Sequence, residues 1–289
     1  MKGLILAGGS GTRLYPITRA VNKQLLPIFN KPMIYYPLTT LMLGGIQDIL
    51  VITSPADRAA FEHLLGNGHS WGIKITYAEQ ARPGGLPEAF KIGAEYIGDS
   101  SCTLILGDNV FFGDGLSATL QTEIAANAGM TAFGYRVNDP QNFGVVEYDS
   151  DDKVIGLEEK PMHPKSTIAV TGLYICDNNV IDIARRLTPS ARGELEIIDV
   201  LKEYLKRAKL KIRPFGRGIA WLDTGSPQGL LQASHFVETI ESRQGVMLAC
   251  PEEIAFRRGY IDRAQLTRLA QSLAKTAYGR YLQQIALEH

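Results

Sequence analysis

Two rhythms of apolar and polar positions alternate along the first half of the chain. Short apolar runs of strand length fall at residues 2–7, 48–53, 73–78, 102–106 and 131–136. Stretches with helical spacing separate them, at 33–43, 56–65, 86–97 and 116–128. In the third of these, Leu86, Ala89, Phe90, Ala94 and Ile97 make one apolar face. Repetition of strand and helix predicts an α/β fold, with a mostly parallel central sheet flanked by helices on both sides. Ligands on such sheets bind at the carboxyl ends of the strands.

After Asp139 the rhythm changes. Residues 143–148, 154–159 and 169–176 read as strands joined by tight turns such as Ser150-Asp151-Asp152. Helices at 179–187 and 196–207, strands near 211–214 and 219–222, and a helix over 227–243 follow. The tail, 251–289, reads as short helices. There is no internal repeat, low-complexity stretch or linker. The expectation is one continuous domain over 1–250 and a C-terminal helical appendage over 251–289. The appendage is too small for a core of its own, so it should pack on the main body or on a partner subunit.

Composition narrows this picture. A chain of 289 residues with 45% hydrophobic content can bury one large core. A formal net charge of zero argues against nucleic-acid or membrane-surface binding. No stretch approaches ~18 apolar residues, and the first apolar run is too short for a signal peptide, which predicts a soluble cytoplasmic protein. Cys102, Cys176 and Cys250 are far apart among apolar neighbours, the setting of buried free thiols. None of His63, His69, His163, His235 and His289 has ligand spacing or a paired nucleophile. The charge is unevenly spread, however. No acidic residue precedes Asp48, whereas Lys2, Arg13, Arg19, Lys23 and Lys31 all do. Around a glycine-rich loop such a run reads as an anion funnel.

That loop, "GGSGTR" over residues 8–13, follows the first strand. It lacks the third glycine and the later acidic residue of a dinucleotide fingerprint, and the Gly-Lys-Ser/Thr of a Walker loop. Its glycines let backbone N–H groups approach phosphate oxygens. Arg13 can grip two of those oxygens, and Lys23 adds a mobile point charge. Two cations beside such a nest suit a polyphosphate. Asp108 in "LGDNVFFG" and Asp223 in "AWLDTG" each end an apolar run and make a pair of magnesium candidates, since magnesium takes one or two protein carboxylates and fills its shell with phosphate and water. "LEEKP" places Glu159 and Lys160 at a strand end, suited to a sugar hydroxyl and a phosphate. "RGELEI" brings Arg192, Glu194 and Glu196, which read equally as a sugar site or as an acidic helix start.

These stretches, with "NKQLLPIFNKPMIYYPL", "NFGVVEYD", "AVTGLYICD" and "ACPEEIAFR", resemble the sugar nucleotidyltransferases over nearly the whole chain. The likeness is strongest to their short, homotetrameric glucose-1-phosphate thymidylyltransferase branch. It implies a Rossmann-like nucleotidyltransferase fold with a nucleotide-binding part over 1–138, a sugar-binding, β-rich insertion over 139–225 and C-terminal helices. The implied reaction is magnesium-assisted, in-line condensation of dTTP and glucose 1-phosphate to dTDP-glucose and pyrophosphate. Carried onto matching positions, Leu6, Gly8 and Gly9 line the nucleoside end, and Gln80 and Gly85 read the thymine edge. Gly11, Thr12, Arg13 and Lys23 hold the triphosphate, while Asp108 and Asp223 hold Mg2+. Gly144, Glu159, Val170 and Glu194 form the sugar pocket, and Lys160 holds its phosphate. Arg13, Lys23 and Lys160 are then the catalytic cations.

The chain departs from the family wording in places. Pro87 and Glu88 in "QARPGGLPEAF" replace an Ala and a Gln beside the base. Asp114 stands where His is frequent and Met247 where Lys is, bordering the family's second nucleotide-sugar site. The expected consequence is weak feedback by a dTDP-sugar effector such as dTDP-rhamnose. Two alternatives stand beside the main reading. One is a same-fold enzyme preferring UTP or another sugar 1-phosphate. The other is a non-catalytic nucleotide-sugar sensor, against which the intact Arg13, Lys23, Asp108, Lys160 and Asp223 argue.

Overall fold

The computed structural model describes residues 1–288; His289, the last residue of the expected tail, lies outside the described residues. The first half runs β1 (Lys2–Ala7), the two-residue pair β2 (Pro27–Ile28) and β3 (Lys31–Pro32), α1 (Tyr35–Leu43) and β4 (Asp48–Thr53). It continues with α2 (Arg58–Leu65), β5 (Lys74–Glu79), α3 (Glu88–Ile92), α4 (Ala94–Ile97) and β6 (Cys102–Leu106). β7 (Asn109–Gly113), α5 (Leu116–Ala125) and β8 (Met130–Arg136) close this half. The second half holds β9 (Gly144–Tyr148), β10 (Val154–Glu159), β11 (Ile168–Cys176), α6 (Asn179–Arg186) and α7 (Ile197–Lys206). After β12 (Leu210–Pro214) and β13 (Ile219–Asp223) come α8 (Pro227–Gln244), α9 (Pro251–Arg257), α10 (Arg263–Ser272) and α11 (Ala277–Leu287).

The central sheet has the order β10-β9-β11-β6-β1-β4-β5, with β8 and β12 branching from β11. The strands β6, β1, β4 and β5 are parallel, and pairing turns antiparallel from β11 outward, except that β12 runs parallel to β8. The side chains of β1 and β4 alternate between two cores, as strand period demands. Ile5, Ile49 and Val51 face α1 and α5, whereas Leu4, Leu50 and Ile52 face α3, α6 and α7. Helices α9, α10 and α11 contribute Ala255, Leu266, Leu282 and Ile285 to the first of these cores. Among the described residues no helix is long and apolar enough to cross a membrane.

Three expectations need correction. The helix read over 86–97 begins only at Glu88 and is divided at Gly93, where the backbone packs so close that a Cβ would lie 2.9 Å from Leu4. The stretch "NVFFG", to which the apolar pattern assigns no element, is the strand β7, paired antiparallel with β13 in register Asn109↔Asp223. The N-terminal basic run is not all funnel. Lys2 is ion-paired with Asp48, and Lys31 is buried against Glu241 at 2.6 Å. The three cysteines are buried and free, with Cys102 and Cys176 register partners across β6 and β11.

Candidate active site

The parallel register sets Leu6 of β1 beside Leu106 of β6, and the Gly107 N–H donates to the Leu6 carbonyl at 2.9 Å. Both loops therefore leave the sheet at one edge. Gly8 is tightly approached: a Cβ there would fall 2.6 Å from Gln80 Oε1. Gly11 has φ +63°, a conformation that favours glycine, and its carbonyl accepts from Thr18 Oγ1 at 2.7 Å. A short 3-10 turn over Thr12–Leu14 follows. Leu14 is buried and anchors the turn, leaving Thr12 and Arg13 exposed. The Arg13 guanidinium reaches the start of the segment after β13, where a Cβ on Gly225 would lie 2.5 Å from its Nη2.

Lys23 opens a further 3-10 turn, Lys23–Leu25, capped by Asn22. The Asn22 side chain accepts from Gln24 N at 2.9 Å and donates to the Ala7 carbonyl at 3.2 Å and to Asp57 at 2.8 Å. This ties the turn to the end of β1 and lets the Lys23 ammonium pair with Asp108. The pairing of β7 with β13 brings the second carboxylate close. Asp223 opposes Asn109, and the Thr224 amide and hydroxyl both donate to the Asp108 carbonyl, at 3.1 and 2.7 Å. Asn109 orients Asp108 from the other side. Its amide donates to Asp108 Oδ1 at 3.1 Å while its oxygen accepts from Trp221 Nε1 at 2.7 Å and Gly172 N at 3.1 Å.

The two carboxyls titrate in opposite directions. Burial pushes Asp108 up, but the Lys23 ammonium and the Asn109 amide outweigh it and hold it below the ordinary carboxylate value. Burial and then the neighbouring Asp108 charge raise Asp223, with Arg13 and Lys23 compensating in part. Two anions this close call for a cation. Among the described residues no group of three or more His, Cys, Asp or Glu could enclose a metal. Two carboxylates with the rest of the shell left to phosphate and water fit a magnesium-like ion better than a closed protein cage.

A cavity of about 240 Å³ lies on one side of this cluster. Arg13, Asp108 and Asp223 border it, as do the sequence-predicted Gly144, Glu159, Lys160, Val170 and Glu194. Gly144 is in contact range of Ile198 and Glu159: a Cβ there would lie 2.5 and 3.3 Å from them. Lys160, at the end of β10, has φ +46°, and its amide donates to the Phe143 carbonyl at 3.0 Å. Arg192 spans the rim, bonding Glu196 at 2.7 Å and Glu159 at 3.3 Å. Burial raises the Glu159 carboxyl above its ordinary value despite Lys160 and Arg192.

A second cavity, about 380 Å³, lies across the loop and takes in Gly8, Gly9, Gln80, Ser54 and Asp57. Gly85, at φ +100°, bridges to Leu195 of the first cavity's wall but itself borders neither cavity. Asn22 and Asn109 are the residues that sequence reading missed. Each acts by orienting a neighbour, and a single asparagine in a loop carries no pattern by itself. Adjacency to Lys23 and Asp108 is the signal that could have found them.

A family model described as Nucleotidyl transferase matches residues 2–240. A glucose-1-phosphate thymidylyltransferase from Neisseria gonorrhoeae is 55% identical over 98% of this chain and 98% of its own length. One from Mycolicibacterium smegmatis is 54% identical over 99% of both chains. A solved structure from Bacillus anthracis, described as a glucose-1-phosphate thymidylyltransferase in complex with a sucrose, aligns with TM-score 0.75 and 39% identity. That alignment covers 82% of this chain and 94% of the other.

Proposed function

The chain belongs to the nucleotidyl transferase family, and from that premise we propose that it condenses dTTP with glucose 1-phosphate to dTDP-glucose and pyrophosphate. One observation carries the reading at this site. Arg13, the Lys23–Asp108 pair and Asp223 converge between two cavities, one floored by glycines and one lined by sugar-type polar groups. The division of labour follows that line: 1–138 for the nucleotide, 139–225 for the sugar, and 251–289 as a helical support.

The chemistry needs little from the protein beyond positioning. Glucose 1-phosphate is already an anion near neutral pH, so its attacking oxygen requires no general base. The task is to hold two mutually repelling anions in line at the α-phosphorus. In the proposed arrangement Leu6, Gly8 and Gly9 line the nucleoside end, and Gly11 and Thr12 hold the triphosphate. Arg13 and Lys23 draw charge toward the departing pyrophosphate. Lys160 holds the sugar phosphate, with Gly144, Glu159, Val170 and Glu194 around the ring. Asp108 and Asp223 would hold Mg2+, which when bound offsets phosphate charge that the cations alone leave uncompensated. Displacement is direct, without a nucleotidylated enzyme. Buried free thiols suit a reducing cytoplasm.

A third cavity, about 400 Å³, is lined largely by apolar side chains together with Asp114 and Met247. As the family's second nucleotide-sugar site it would repel rather than attract an anionic effector, so we propose weak feedback and, by family likeness, a homotetramer. Pyrophosphate release measured over a grid of dTTP, UTP and several sugar 1-phosphates tests the reading. Fastest turnover with dTTP and glucose 1-phosphate is expected; preference for UTP, or no turnover at all, would overturn it.

A further inference from the structure

Glu88 opens α3, and its carboxylate accepts a hydrogen bond at 2.7 Å from Nε2 of Gln80, a residue of the second cavity's wall. Both partners sit against glycine backbone. A Cβ on Gly84 would meet the Glu88 carboxylate at 2.3 Å, and a Cβ on Gly8 would meet Gln80 Oε1 at 2.6 Å. Gln80 is only 4% exposed, held at the end of β5 by its own amide on the Thr53 carbonyl at 2.8 Å. Its Oε1 accepts no hydrogen bond among the described residues, so it is the free end of the amide, presented toward Gly8 and the cavity.

An ionised carboxylate only accepts. It therefore admits one of the two amide orientations of Gln80 and repels the other. We propose that Glu88 is a positioning residue that locks the Gln80 oxygen toward the base, so that the pocket selects a ring nitrogen carrying a proton. Thymine and uracil carry that proton at N3; cytosine offers a lone pair there, which would face the Gln80 oxygen unfavourably. A neutral Gln at position 88 could accept from or donate to Gln80 and would leave both orientations open. The proposal rests on the reading that Gln80 contacts the base.

The test compares kcat/KM for dTTP and dCTP in the full-length enzyme, its Glu88→Gln variant and its Gln80→Ala variant. Melting temperature and KM for glucose 1-phosphate are followed in parallel. The expected result is that Glu88→Gln lowers the dTTP-to-dCTP ratio on the order of tenfold. The change should fall in nucleotide KM more than in kcat, with melting temperature and sugar-phosphate KM preserved. A ratio within twofold of the parent in Glu88→Gln, while Gln80→Ala collapses it, would overturn the role of Glu88 and leave the base pocket standing. An unchanged ratio in Gln80→Ala would overturn both.

Discussion

Asp108 and Asp223 look alike in sequence, each an aspartate after an apolar run, yet their surroundings assign them opposite properties. Lys23 and Asn109 stabilise the charge on Asp108. Replacing Asp108 with Asn should lower kcat on the order of 10²-fold, as loss of one electrostatic group does in other enzymes; steady-state pyrophosphate release measures it. Asp223 has its carboxyl raised by burial and by Asp108. A raised acid is less easily ionised in the folded than in the unfolded chain, so at neutral pH its charge costs stability. Metal-free Asp223→Asn protein should therefore melt higher than the parent while losing activity, a trade visible by calorimetry and assay together. Glu159, also raised by burial, should protonate earlier on acidification than an exposed glutamate. The KM for glucose 1-phosphate is expected to climb as pH falls from neutral. Glu159→Gln should start from a higher KM and lose the part of that climb due to this carboxylate. An identical pH profile in parent and variant would sink the assignment.

At the scale of elements, the decisive feature is a pairing that no local pattern announces. The strands β1, β4 and β6 were readable because each buries an alternating set on two cores, and the edge strand β5 because its apolar run has strand length. β7 was not, since only two residues separate it from β6 and it takes its partner from β13, far along the chain. The same distance hid the fate of Lys31. It leaves the basic run to meet Glu241 of α8, which also bonds Asn30 at 2.7 Å and the Leu248 amide at 2.8 Å. This junction fastens α8 to the β2–β3 pair. Glu241→Ala would strand a buried ammonium and should destabilise by about 3–5 kcal/mol, read as a lowered denaturant midpoint. A second change, Lys31→Met, should recover much of the loss.

The whole molecule joins its tail to the first half of the chain. Beyond the core contacts of α9, α10 and α11, Glu252 accepts from Trp71 at 3.1 Å and also from the Tyr278 hydroxyl. Truncation after residue 250 would expose the face of α1 that α9 covers. The expected product is aggregated or much lower melting, measured by solubility and thermal unfolding, rather than a trimmed enzyme. Local pattern was enough to mark the parallel half-sheet, the glycine-rich loop after β1 and several of the residues that border the first cavity, because strand period, glycine turns and strand-end acids are short-range properties. Tertiary structure decided which charges serve the site. It turned Lys2 and Lys31 to structural partners and Lys23 to Asp108, brought Asp223 opposite Asn109, and set Glu88 against Gln80. Those outcomes depend on register and side-chain packing, chiefly between segments distant in the chain, where burial and paired charge are settled only once the sheet has assembled.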